Sequence, residues 1–251
     1  FRLAKIDPLG APTSGVVRVK SELAVATVTE TLSRDRVKAL SYWNSFQYFN
    51  IWVVRSMPAG PDPESDPALN GYAQFPNTGS MSTDGVMIVA ARFKNGQTIT
   101  HEVGHWLGLR HTWGDSDCGD DGIKDTPPDK QGTFDWDGTF PFHVGNIGIG
   151  AGCLGDSMNW AGEMYMNYMD YQNDAIQSMF TIGQDVAMNE TLEGVYNEET
   201  NQSSLGYRQY MWSQENLEAT GTNDGYRPSD CSKELDFWSN GATLICENEE
   251  V

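Results

Sequence analysis

Basic residues are scarce in this chain. Lys and Arg total 16 against 35 Asp and Glu, a formal net charge of −19 at pH 7. That argues against nucleic acid as a partner, because phosphate binding needs clustered Lys and Arg. An acidic balance suits a protein that attracts cations or meets basic partners. Long apolar runs are missing too: none approaches the roughly 20 residues needed to cross a membrane, so no span is expected. The four cysteines, Cys118, Cys153, Cys231 and Cys246, show no CxxC spacing. Their even number suits two disulfides in an oxidising compartment, with the pairing unreadable from sequence alone. Neither an initiator Met nor a signal peptide opens "FRLAKIDPLG". The expectation is an internal piece of a longer product, whose targeting its N-terminus does not report. Histidine is as rare as cysteine, with four in 251 residues.

What is present suits a folded domain. A chain of 251 residues with 39% hydrophobic and 11% aromatic content can bury one sizeable core. "SGVVRVK", "YFNIWVV" and "DGVMIVA" are β-branched and aromatic runs that predict strands. "LSRDRVKAL" predicts a short helix with Ser33 as its cap. Residues 57–80 hold five of the 11 prolines and predict a long surface loop of the functional kind. From Thr112 to about Met158 the chain is rich in Gly, Asp and Pro with little periodicity. Such a segment needs a metal or a disulfide to hold it. "TIGQ", Thr181 to Gln184, is a capping box opening a helix to about Leu192. Beyond Asn197 the composition turns Asn-, Ser- and Gly-rich, and a boundary falls near Thr222.

Three of the four histidines, His101, His105 and His111, stand within eleven residues in "THEVGHWLGLRHTW". A helix starting near Asn95 or Gln97 would put His101 and His105 on one face, a turn apart. Gly108 then lets the chain leave the helix with positive φ, and His111 swings round as a third ligand. Three nitrogens at about 2.0–2.1 Å with a fourth position open make a catalytic zinc site rather than a structural one. Glu102, beside the first ligand, can reach water on the metal and take its proton. A bare HExxH also occurs in proteins that bind no metal, but here the extended form fixes Gly108 and His111 as well. His143 reads as a loop histidine. "DSDCGDDGIKDTP" offers Asp115, Asp117, Asp120, Asp121 and Asp125, hard oxygen ligands that suit calcium without EF-hand spacing.

HEVGHWLGLRH matches HExxHxxGxxH, the signature of the metzincin clan of zinc peptidases. Within the clan, "FRLAKIDPLGAPTSGVVRV", "YFNIWVV", "LNGYAQFP", "DDGIKDTP" and "NYMDYQNDAIQSMFT" resemble the pappalysin family, spanning residues 1 to about 195. The resemblance implies one catalytic zinc on His101, His105 and His111, with Glu102 as general base and then general acid. It implies that Met169 in "MNYMDY" is the methionine of the tight Met-turn beneath the metal. Tyr171 would donate a hydrogen bond to the oxyanion of the tetrahedral intermediate. Asp174 would sit at the base of the pocket for the side chain after the scissile bond, selecting Arg or Lys. Structural calcium would be held by Asp121 and Thr126, with Asp120 and Asp125 beside them. A bond between Cys118 and Cys153 would tie that loop down, and Cys231 and Cys246 would pair within the C-terminal piece.

The fold so implied is α/β: a metzincin-like catalytic domain over residues 1–196, with a twisted mixed sheet backing the active-site helix. An irregular C-terminal subdomain would carry the Met-turn. Residues 197–222 would link it to 223–251, which resemble the opening of a PKD-like β-sandwich domain. The strand and helix that the family places ahead of "FRLAKIDPLG" are missing. The expected function is a secreted, extracellular or surface-attached zinc endopeptidase acting on proteins or peptides, with further domains in the same polypeptide. Substrate would pair with an edge strand near Gly85 to Val89. The alternative is a surface binding or adhesive module in which the peptidase fold is inactive or secondary.

Overall fold

The computed structural model describes residues 1–21, 31–58, 68–93, 96–134, 138, 140, 142, 162–173, 175–197 and 202–224. Its framework is a three-stranded sheet: β1 (Ile51–Val54), β2 (Gly71–Ala73) and β3 (Val86–Val89) in the order β1-β3-β2. β1 runs parallel to β3 and β2 antiparallel to it. Helix α1 (Thr31–Ala39) covers one face, and α3 (Gln97–Trp106) lies against the other, reached through the single-turn helix α2 (Ala90–Phe93). Alternation along β3 explains the two layers, since successive side chains of a strand point to opposite faces. Met87 packs with Val37, Trp52, Val54 and Met57 on the α1 side. Val86 packs with Trp106 and Leu107 of the α3 region on the other.

Three sequence expectations are corrected here. Ser33 is no cap, because it lies inside α1. "SGVVRVK" forms no strand and pairs with no described residue; Val16, Val17 and Val19 are exposed. A β-branched alternation makes a strand only where a neighbour supplies the ladder. The loop of residues 57–80 holds β2, whose residues Gly71, Tyr72 and Ala73 pair with Ile88, Met87 and Val86. β3 is therefore the central strand, and the edge facing α3 belongs to β2 instead of the segment near Gly85 to Val89.

The second half builds on α4 (Ile182–Glu193), opened by the expected capping box: Thr181 Oγ1 accepts from Gln184 N–H, and the Gln184 side chain accepts from Thr181 N–H. β4 (Val195–Asn197) pairs antiparallel with β5 (Gln202–Ser204), and α5 (Gln214–Thr220) follows. The Thr220 carbonyl accepts from the N–H groups of Lys5 and Ile6, so the two ends of the described chain meet. Arg208 ties this region to the core. It donates to both oxygens of buried Asp84 at 2.6 and 3.0 Å and to the Trp106 carbonyl at 2.9 Å. Its guanidinium lies 3.7 Å from the Trp106 ring centroid. A buried bidentate pair of this kind leaves a costly orphan charge if one partner is removed. Residues 225–251, the PKD-like segment with Cys231 and Cys246, lie outside the described residues, as do Cys153, His143 and Asp174.

Candidate metal centre

Helix α3 follows Gly96, its N-cap residue with a left-handed φ of 89°, and ends at Trp106. The helical period stacks His101 and His105 on one face, their ring centroids 4.6 Å apart. Gly108 then carries the chain out of the helix at φ 100°, as its sequence position predicts. That reversal brings His111 back, with ring centroids 5.2 Å from His101 and 4.5 Å from His105. One nitrogen from each of the three rings lies within 4.8 Å of the others.

Each ring has its Nδ1 engaged. His101 Nδ1 contacts the Tyr168 carbonyl at 2.6 Å, His105 Nδ1 the Leu109 carbonyl at 2.7 Å, and His111 Nδ1 the Asp115 carboxylate. An acceptor on Nδ1 fixes the tautomer that leaves Nε2 with its lone pair. The Nε2 atoms of His105 and His111 stand 3.1 Å apart. Tetrahedral ligands at about 2.0–2.1 Å from one ion lie roughly 3.3 Å from each other, so the spacing fits a shared cation. Burial, reinforced by the neighbouring imidazoles, holds His101 well below its ordinary pKa. Burial also lowers His105 to about 4 and lowers His111. All three are neutral donors at pH 7, as a dication requires. The donor set fits zinc.

Glu102 is buried beside this cluster, and burial pushes its carboxyl up to about 8. Tyr171 stands against the same cluster, its ring 5.7 Å from His101 and 4.6 Å from His111. Burial, with the Glu102 and Asp115 carboxylates nearby, raises its phenol to about 12, so it keeps its hydrogen. Met169 is fully buried directly under α3. A Cβ at Gly104 would come within 2.5 Å of its Sδ. Backbone bonds lock this floor to the ligands: the Tyr168 carbonyl meets His101, and Thr112 N–H donates to the Met169 carbonyl at 3.3 Å. A paired amide contact between Asn167 and Gln184, at 2.8 and 3.1 Å, ties the same turn to α4.

The aspartate-rich loop divides its tasks. Asp121 Oδ1 accepts from Thr126 Oγ1 at 2.7 Å and Ile123 N–H at 2.9 Å, while its buried Oδ2 has no hydrogen-bond partner among the described residues. Asp120 accepts from Gly122 N–H in an exposed turn. Asp125 faces α4, accepting from Thr181 Oγ1 and Gly183 N–H, both at 2.8 Å. Asp115, grouped by sequence with the calcium candidates, instead holds His111. Cys118 is disulfide-bonded, and its partner lies outside the described residues. Sequence reasoning missed Gly71, Gly104, Trp113 and the role of Asp115. The Asp115 role was signalled by its spacing four residues past His111, and Trp113 stacks on that same ring at 4.3 Å and 2°.

Comparison with known proteins agrees with this geometry. A family model described as Peptidase M43, pregnancy-associated plasma protein-A, matches residues 32–193. An extracellular metalloprotease of Colletotrichum graminicola is 32% identical over 136 residues, 47% of this chain and 43% of the relative. One from Verticillium alfalfae is 37% identical over 140 residues, 48% of this chain and 43% of the relative. The chain thus spans less than half the length of these fungal relatives. Among solved structures, mature mirolysin of Tannerella forsythia in complex with a cleaved peptide aligns with a TM-score of 0.65 at 34% identity. That alignment covers 88% of this chain and 76% of mirolysin. A family match that takes in the histidine helix, its exit turn and the methionine floor places this chain in the pappalysin family of metzincin metallopeptidases.

Proposed function

We propose that this chain is the catalytic part of a secreted zinc endopeptidase. The observation that carries the reading is the convergence of three neutral imidazoles beside a buried carboxyl. His101, His105 and His111 hold the zinc, which when bound supplies Lewis acidity to a peptide carbonyl and to water. Glu102 takes a proton from the attacking water and passes it to the leaving amine. A carboxyl raised to about 8 by burial suits that shuttle, and a nearby dication draws the value down toward neutrality. Tyr171, still protonated, donates to the oxyanion that develops on the carbonyl.

Substrate lies extended along β2, the sheet edge beside α3, and adds a strand there through its backbone. Asp174, five residues past Met169, provides the carboxylate that selects Arg or Lys just after the scissile bond. Calcium joins the turn of Asp121 and Thr126, where Asp121 Oδ2, without a hydrogen-bond partner among the described residues, supplies a hard oxygen. The extracellular setting draws support from the relatives, both named extracellular metalloproteases, and from the disulfide at Cys118.

Digestion of a denatured protein, with and without a zinc chelator, tests this. The expected result is new N-termini beginning with Arg or Lys that vanish on chelation and return with zinc. Silence under both conditions contradicts the peptidase reading and favours the binding module. Cleavage at unrelated residues removes the Asp174 assignment alone.

A further inference from the structure

The buried Glu102 carboxylate accepts no hydrogen bond from any described residue. Its three histidine neighbours each have a carbonyl or carboxylate to orient them. What faces the Glu102 side chain is the bare Cα of Gly71, at the start of β2. A Cβ there would lie 2.7 Å from Glu102 Oε1, 2.8 Å from Cγ and 3.0 Å from Cδ. The first two approaches are closer than real Cβ atoms tolerate, and they involve the stem of a buried side chain as well as its tip.

The glycine is not there for its backbone. Gly71 lies outside the positive-φ residues and sits in register opposite Ile88, in extended backbone that any residue adopts. Glycine weakens the interior of a strand, and its presence there marks close approach by another group. The missing side chain makes room for Glu102.

We infer that Gly71 is a positioning residue for Glu102: the edge strand sets the carboxylate by contact, in place of the hydrogen bonds that set the histidines. The same strand is the one on which substrate is proposed to pair. Seating of substrate backbone on β2 and placement of the proton carrier are therefore mechanically joined. This inference rests on the proton-shuttling role proposed for Glu102, and its test separates the two.

The variants are Gly71→Ala, Glu102→Ala and the double variant, all in the full chain. Gly71→Ala is expected to retain one zinc per chain and a KM within about threefold of the parent. Its kcat should fall by about 10–100-fold, the cost of misplacing a reacting group by about 1 Å. It should also melt several degrees lower, whereas adding Gly71→Ala to Glu102→Ala should leave the melting temperature unchanged, because the clashing side chain is gone. Undiminished kcat in Gly71→Ala overturns the inference. So does a melting loss that persists in the Glu102→Ala background, since the glycine would then serve something else. If the parent cleaves nothing, the peptidase reading fails, and the melting comparison still decides the contact between Gly71 and Glu102.

Discussion

His111 comes from the exit turn of α3, so no helix holds it. Its ring is fixed by Trp113, stacked in parallel, and by the Asp115 carboxylate on Nδ1. Partners of this kind raise ligand basicity, and losing one typically weakens metal binding about 10–100-fold. Asp115→Ala should lose zinc affinity on that scale in competition with a chromophoric chelator, with little change in melting temperature of the metal-free protein. Unchanged affinity would mean that Trp113 suffices. At this scale most of the centre was readable: HExxH spacing and Gly108 led directly to three rings on one site. The contact of Asp115 with His111 was less legible, because a dense aspartate run looks alike whether its members serve calcium or a histidine. Gly71 was invisible, since only the folded approach of α3 to β2 reveals that a Cβ there has no room.

Helix α4 links the turn that carries Met169 to the aspartate loop. Its cap Thr181 accepts from Gln184 N–H and donates to Asp125, while the Gln184 side chain pairs with Asn167 two residues before Met169. Thr181→Ala removes the cap and the Asp125 contact together, and should cost about 1–2 kcal/mol in urea unfolding; a cost near zero would show that Asp125 on Gly183 N–H caps the helix alone. The box was legible because capping chemistry is local: four consecutive residues contain both partners. β2 was not, because three residues between turns carry too short a pattern to stand out from a proline-rich loop. "SGVVRVK" failed in the opposite sense. Its pattern is that of a strand, yet pairing depends on a neighbour that sequence alone does not supply.

Across the molecule, acidity inside matters as much as acidity outside. Asp170, the residue after Met169, is buried, its Oδ1 accepting from the N–H groups of Thr133 and Tyr171, both at 2.7 Å. Burial raises its carboxyl to about 7, and Asp129, buried against Glu163, lies well above the carboxylate range for the same reason. A folded-state pKa above the unfolded value of about 3.9 means the native protein binds the extra proton. The resulting stability is full below about pH 4 and is lost as pH rises through about 7. Asp170→Asn keeps the Oδ1 acceptor and removes the titration. Its unfolding free energy should therefore fall less between pH 5 and pH 8 than that of the parent, by roughly 2 kcal/mol. Equal slopes would place the pH dependence elsewhere. X-ray absorption at the zinc edge of the zinc-loaded full chain reads the metal centre directly. One zinc is expected, with a shell at about 2.0–2.1 Å and outer scattering from three imidazoles. A sulfur shell, fewer imidazoles, or a protein that takes up no zinc would contradict that expectation.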